Sequence, residues 1–352
     1  MFAPRLIFFI TQHNDSNTIF VFKHDRGIKK MNQTFKILEE VHDTSMECVL
    51  ATIIHVNGSA YLREGTSMLI KKDGTYTGMI SAGCVETDIV HHSQRIFESQ
   101  KPKTIVYNLE NNEGLDWGVS TGCNGILYIL LEYVDQNLKK NVSLIRDTLK
   151  QGKEINYQRV LSKDWSLLSS HFASPSSDTD QLPDKFLLSE NPHATYVYNQ
   201  TFTPKPRLII FGAGLDAIPV VTMAASAGFL VTVCDWRESL CNDRNIPAAD
   251  TYIIGFPNEI INQITFKKED YVIIMTHNFQ RDKEILSLIK HQPLFYLGIL
   301  GSIKRTARLF ELDIPKNIHA PIGLTIGAEG PYEIAVSIVA ELIQAKRPKR
   351  VS

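Results

Sequence analysis

Residues 207–220 read RLIIFGAGLDAIPV, and this stretch decides the fold. The apolar run RLIIF (207–211) has the length of a buried strand. It passes directly into Gly212-Ala213-Gly214-Leu215-Asp216-Ala217, a G-x-G-x-x-A pattern opening a helix. In that pattern Gly212 allows the tight turn, Gly214 lets backbone approach a phosphate, and Ala217 permits close helix packing. The first N–H groups of the helix are then available to an anion. Pro219 suits an early helical position, where its missing N–H costs little. A second strand, LVTVCD (230–235), ends at Asp235, 21 residues beyond Gly214, the place of a ribose-binding carboxylate. Asp216 argues the other way, because its charge opposes a pyrophosphate unless it points aside.

Further on, TYIIG (251–255), DYVIIMTH (270–277) and LFYLGIL (294–300) alternate with helical stretches, and a last helix starts at Pro331. Such alternation predicts a doubly wound, Rossmann-like parallel sheet over residues 204–352.

Residues 31–135 have a different texture. MNQTFKILEEVHD opens them as an amphipathic helix. The apolar strands CVLATIIHV, TIVYNL and ILYILLEYV follow, with an Asp73-Gly74 hairpin signal and a helix over roughly 84–99. This is a mixed α+β module. Residues 136–203 hold a helical stretch and a strand pair, then SSHFASPSSDTDQLPDKF, whose composition reads as a connecting segment and linker. The first 30 residues carry no turn dipeptide that would pin a hairpin. They read as an extension produced by an upstream start codon ahead of Met31.

The 352 residues suit about two domains. Lys plus Arg total 37 against 38 Asp plus Glu, which argues against a nucleic-acid partner. The five cysteines, Cys48, Cys84, Cys123, Cys234 and Cys241, are odd in number and widely spaced, which excludes a disulfide framework and points to a reducing cytoplasm. The N-terminal MFAPRLIFFI is too short to span a membrane and lacks a small-residue cleavage site. The expectation is a soluble cytoplasmic protein.

Several candidate residues stand at strand ends. Thr276 and His277 close a strand where doubly wound folds place ligands, so His277 is a candidate for ligand contact or proton transfer. Gly301-Ser302 opens a helix with Arg305 one turn on, which suits a phosphate; a plain N-cap role for Ser302 explains it equally. Cys84 and Cys123 lie in glycine-rich loops. They read either as a sulfur relay, metal contact or cofactor-facing thiolate, or as small packing residues.

The chain resembles the XdhC/CoxI family, accessory proteins of xanthine dehydrogenase and related molybdenum hydroxylases. The N-terminal blocks are ATIIHVNGSAYLREGTSMLI, GMISAGCVETDIV and STGCNGILYILLE. The C-terminal blocks are FGAGLDAIPV, VCDWR, IIMTHNFQRD, YLGILGSIKRTARL and APIGLTIGAEGPYEIAVSIVAELI. Ala82, Asn124 and Asn278 depart from the residues more usual there. The resemblance implies a carrier more than a catalyst: a factor that binds molybdenum cofactor, as molybdopterin or its dinucleotide, supports its sulfuration and delivers it to an apo-enzyme. Implied partners are a xanthine dehydrogenase-type apo-enzyme and a cysteine desulfurase, with homodimerisation left open. The cofactor-binding set on this reading is Cys84, Cys123, Gly212, Gly214, Asp235, His277, Ser302 and Arg305, in a cleft between the two domains. The rival readings are an NAD(P)-dependent oxidoreductase, favoured by the glycine loop and Asp235, and a scaffold that holds no cofactor.

Overall fold

The structure is a computed structural model that describes residues 33–81, 83, 85–109, 125–173, 186–191, 195–310 and 314–346. Residues 1–32, Cys84, Cys123 and the centre of the serine-rich segment lie outside the described residues, and so do the expectations placed on them.

Helix α1 (Gln33–Asp43) leads into a five-stranded antiparallel sheet of β1 (Cys48–Gly58), β2 (Ser67–Lys71), β3 (Tyr76–Gly78), β4 (Lys103–Asn108) and β5 (Gly125–Tyr133), in the order β3-β2-β1-β5-β4. Strand β1 is central and covered on both faces, which is why it is apolar almost throughout rather than alternating. Val49, Ala51 and Ile53 pack with Ile89, Ile96 and Phe97 of α2 (Glu86–Ser99). Cys48 and Leu50 face the opposite way, against Ile37 and Val41 of α1 and Val142 and Ile145 of α3 (Gln136–Lys150). The hairpin signal falls where expected, with Asp73 accepting from the Thr75 N–H at 2.9 Å between β2 and β3.

Residues 136–203 hold more order than their composition suggested. After α3 come β6 (Ile155–Leu161), β7 (Leu167–Ala173), β8 (Phe186–Asn191) and β9 (Thr195–Phe202), an antiparallel sheet in the order β7-β6-β9-β8. Its Tyr157 joins the α1/α3 core, and its Leu161 and Tyr198 pack on Ile54 and Leu130 of the first sheet.

The third sheet is parallel and six-stranded, in the order β12-β11-β10-β13-β14-β15. Its strands are β10 (Arg207–Phe211), β11 (Leu230–Asp235), β12 (Thr251–Ile254), β13 (Tyr271–Ile274), β14 (Tyr296–Ile299) and β15 (Ile318–His319). Helices α4 (Ala217–Ser226) and α8 (Gly330–Lys346) cover one face. On the other lie α5 (Pro257–Ile261), α6 (Phe279–Ile289) and α7 (Ile303–Phe310). This is the expected doubly wound sheet. Among the described residues no helix is long and apolar enough to cross a membrane.

Candidate functional site

The strand order reverses at β10, which has β11 on one side and β13 on the other. Loops leaving the carboxyl ends on either side of a reversal part and leave a crevice. A cavity of about 830 Å³ opens there, on the β13–β15 side. Its described lining comes from the loops after β10, β13, β14 and β15 and from the first turns of α8. Leu215, Met275, Leu300, Ile322, Ile326 and Ile334 make the walls largely apolar. Asp216, His277 and Ser302 supply polar side chains.

Backbone proximity sets the residue types of the crest. A Cβ on Gly212, which has φ +122°, would stand 2.4 Å from the Met275 carbonyl oxygen, so only glycine lets the exits of β10 and β13 lie side by side. A Cβ on Gly298 of β14 would stand 2.4 Å from Cδ1 of Ile322, so this strand glycine seats the loop that forms the cavity floor.

Three polar stations hold the loops. Asp235 is 1% exposed and accepts from the Ala213 N–H at 2.7 Å, the Arg237 N–H at 2.9 Å, and Arg237 Nε and Nη2 at 2.9 and 2.7 Å. Burial raises its pKa, but the Arg237 guanidinium and these N–H groups outweigh that and hold the carboxyl below its usual range. The ribose position read from the spacing is therefore engaged inside the protein, tying the glycine loop to β11. The second station is the fully buried Asp282, which accepts from Thr276 Oγ1 and, at 2.6 Å, from Arg305 Nη2. Arg305 consequently braces α7 against α6 and does not line the cavity. Ser302 does line it, and its Oγ accepts from the Arg305 N–H at 3.3 Å as an N-cap.

The third station runs along α8. Glu333, Ser337 and Glu341 repeat at i, i+4 and i+8 and share one helix face. Glu333 accepts from the Glu329 N–H at 2.8 Å, Ser337 Oγ donates to the Leu324 carbonyl at 2.6 Å, and Glu341 holds the Gly323 N–H and His319 Nδ1. The sequence reading missed Ser337 and Glu341. Their signal was available, as polar residues four apart in an otherwise apolar helix.

At the mouth, Asp216 occupies the N-cap of α4 yet makes no capping bond. Its Oδ2 lies 2.7 Å from His277 Nε2, and its Oδ1 would lie 2.7 Å from a Cβ on Gly214. The carboxylate thus leans over the point where a dinucleotide diphosphate would approach. Like charges about 4 Å apart near a protein surface repel by about 4 kcal/mol. His277 has φ +60°, a left-handed backbone that costs a non-glycine residue about 1–3 kcal/mol. Such outliers gather at functional sites.

A family model described as the XdhC and CoxI family matches residues 42–108, and one described as the XdhC Rossmann domain matches 208–342. A Bacillus subtilis protein named as a probable xanthine dehydrogenase subunit is 37% identical over 325 residues, covering 90% of this chain and 98% of its own. The chain belongs to the XdhC and CoxI family. An Escherichia coli relative named molybdenum cofactor insertion chaperone PaoD is 25% identical over 308 residues, 85% of this chain and 83% of that one. A crystal structure from Bacillus halodurans, described as a xanthine dehydrogenase, superposes with a TM-score of 0.81 at 39% identity, over 91% of this chain and 98% of that one.

Of the residues expected at an XdhC-type site, Gly212, Gly214, His277 and Ser302 meet at the crest, while Asp235 and Arg305 stand behind it as braces. Cys84 and Cys123 lie outside the described residues. Beside the first of them, Glu86 is 3% exposed and accepts from the Ile80 and Ser81 N–H groups and from Ser81 Oγ, which folds that loop back on α2. The remaining cysteines are core: burial pushes the Cys241 thiol up to about 11 and that of Cys234 well above its ordinary value. Among the described residues no group of three or more His, Cys, Asp or Glu side chains is placed to hold a metal.

Proposed function

We propose that this chain is a maturation factor that binds molybdenum cofactor as cargo, supports its sulfuration and delivers it to a xanthine dehydrogenase-type hydroxylase in the cytoplasm. The observation that carries the reading is the 830 Å³ cavity at the crest of a chain related to a protein named a molybdenum cofactor insertion chaperone. The cavity's chemistry suits the cargo. A fused pterin ring needs apolar walls and a few polar groups at its rim, and Leu300, Ile322 and Ile326 beside Asp216 and Ser302 supply both. The cofactor's phosphate is anionic. The start of α7 offers Ser302 and Lys304, with no acid in the first turn.

In this reading the protein's work is holding, orienting and shielding. Cys84 and Cys123 remain the candidates for sulfur handling, with a cysteine desulfurase as sulfur donor and an apo-hydroxylase of purine catabolism as recipient. The oxidoreductase alternative loses support from two features already described: Asp235 has both oxygens engaged, and Asp216 leans over Gly214.

The test is purification from cofactor-producing cells, with metal analysis and mass analysis of released pterin, alongside hydroxylase assays in cells lacking the chain. The expected results are molybdenum and pterin travelling with the protein and a hydroxylase short of active cofactor. A protein free of both, with a fully active hydroxylase, would overturn the proposal.

A further inference from the structure

We infer that Asp216 reads the 2-amino-4-oxopyrimidine edge of a pterin ring seated in the crest cavity, with His277 positioning the carboxylate for it. The inference rests on the carrier reading and says which part of the cargo the glycine loop recognises.

Four observations support it. Asp216 stands at the N-cap of α4, where an aspartate normally accepts a backbone N–H, yet its side chain makes no capping bond. The carboxylate is turned instead toward the cavity it lines, with Oδ2 fixed by His277 Nε2 at 2.7 Å and the side chain still 25% exposed. The fixing group is itself held in a left-handed backbone conformation at φ +60°. Finally, the adjoining walls are apolar, from Leu215 and Met275 to Ile322, which suits the faces of a flat ring and not a string of phosphates.

Carboxylate chemistry then selects the ligand edge. An ionised carboxylate only accepts hydrogen bonds, and two oxygens with four lone-pair sites accommodate a donor pair while one of them also holds His277. A pterin presents such a pair, the 2-amino N–H and the ring N3–H, side by side in one plane. A diphosphate presents only anionic acceptors and is repelled from the same place. Lumazine differs from pterin at this edge alone, with a 2-oxo acceptor in place of the 2-amino donor, so it turns the carboxylate from partner to opponent.

The experiment titrates the full chain with 6-hydroxymethylpterin, 6-hydroxymethyllumazine and ADP-ribose, following binding calorimetrically, for the wild type and for Asp216→Asn. The wild type is expected to prefer the pterin over the lumazine by at least tenfold and to show no saturable binding of ADP-ribose. Asp216→Asn is expected to lose most of that preference while its thermal unfolding remains cooperative. His277→Gln, which keeps a donor for Asp216, is expected to retain more of the preference than His277→Ala. Equal wild-type affinity for the two ring systems, or an unchanged preference in Asp216→Asn, would overturn the inference. If molybdenum still co-purifies with the wild type in that case, the carrier reading stands and only the assignment to Asp216 falls.

Discussion

Asp235 shows how much a spacing leaves open about what a carboxylate does. Its distance from Gly214 placed it at the end of the second strand of the parallel sheet, and it is there. A spacing carries no information on which way the carboxylate faces. Arg237, two residues on, decides that by closing a bidentate pair at 2.9 and 2.7 Å. Because the pair lowers the folded-state pKa, the unfolded chain takes up the proton first as pH falls. The stabilisation is complete above the unfolded value of about 3.9 and disappears as pH drops through the lower folded value. Urea unfolding of the wild type should therefore lose stability below about pH 4. Asp235→Asn should cost about 2–3 kcal/mol at pH 7, the worth of hydrogen bonds to a charged group, and flatten the acid limb. Identical acid limbs in the two proteins would remove Asp235 from this account.

At the scale of elements, the strands of the two ends were legible because each is an apolar run bounded by turns. RLIIF, LVTVCD and ILYILLEYV appear as β10, β11 and β5 within a residue or so of their reading. Of the four strands β6–β9, only a pair was legible. Asn156, Gln158 and Arg159 interrupt the first of them, so its inward set of Tyr157, Arg159 and Leu161 contains a charge and the period-two signal is blurred. The i, i+4 stripe of α8 is visible as a pattern, but its partners, backbone groups of the preceding loop and the His319 ring, are placed by no sequence pattern. It predicts a local effect. Ser337→Ala and Glu341→Gln should each weaken the 321–330 loop by about 1 kcal/mol, the usual net worth of a hydrogen bond. Hydrogen exchange at Gly323 and Leu324 should accelerate by about fivefold while amides of β13 keep their protection. Loss of protection throughout the sheet would mean that the stripe supports the domain and not the loop.

The whole molecule is held by cores on both faces of two sheets, and among the described residues the junction between the antiparallel sheets contains one ionic contact. Arg159 Nη2 of β6 lies 2.9 Å from Glu132 of β5, with the two residues 2% and 5% exposed. Removing one member of such a pair leaves a buried charge without its partner, which costs about 3–5 kcal/mol. Replacing both with apolar side chains of similar volume is often neutral or better. Glu132→Leu alone should therefore lower the unfolding midpoint sharply, and Glu132→Leu combined with Arg159→Met should restore most of it. A double variant as unstable as the sum of the single ones would show that the pair acts through packing and not through charge. No reading of composition anticipated this contact, because the two residues sit in strands of different sheets.

The crest rests on strand ends backed by the first turns of α8. Exchanging or lengthening the turns at 213–216, 276–278 or 323–330 removes no rung from the ladders of β10, β13 and β14, whose registers close before those turns begin. Each doubling of a flexible loop costs only about 0.6 kcal/mol in closure entropy. Substitutions in those turns can therefore change what the cavity accepts while the sheet beneath is kept.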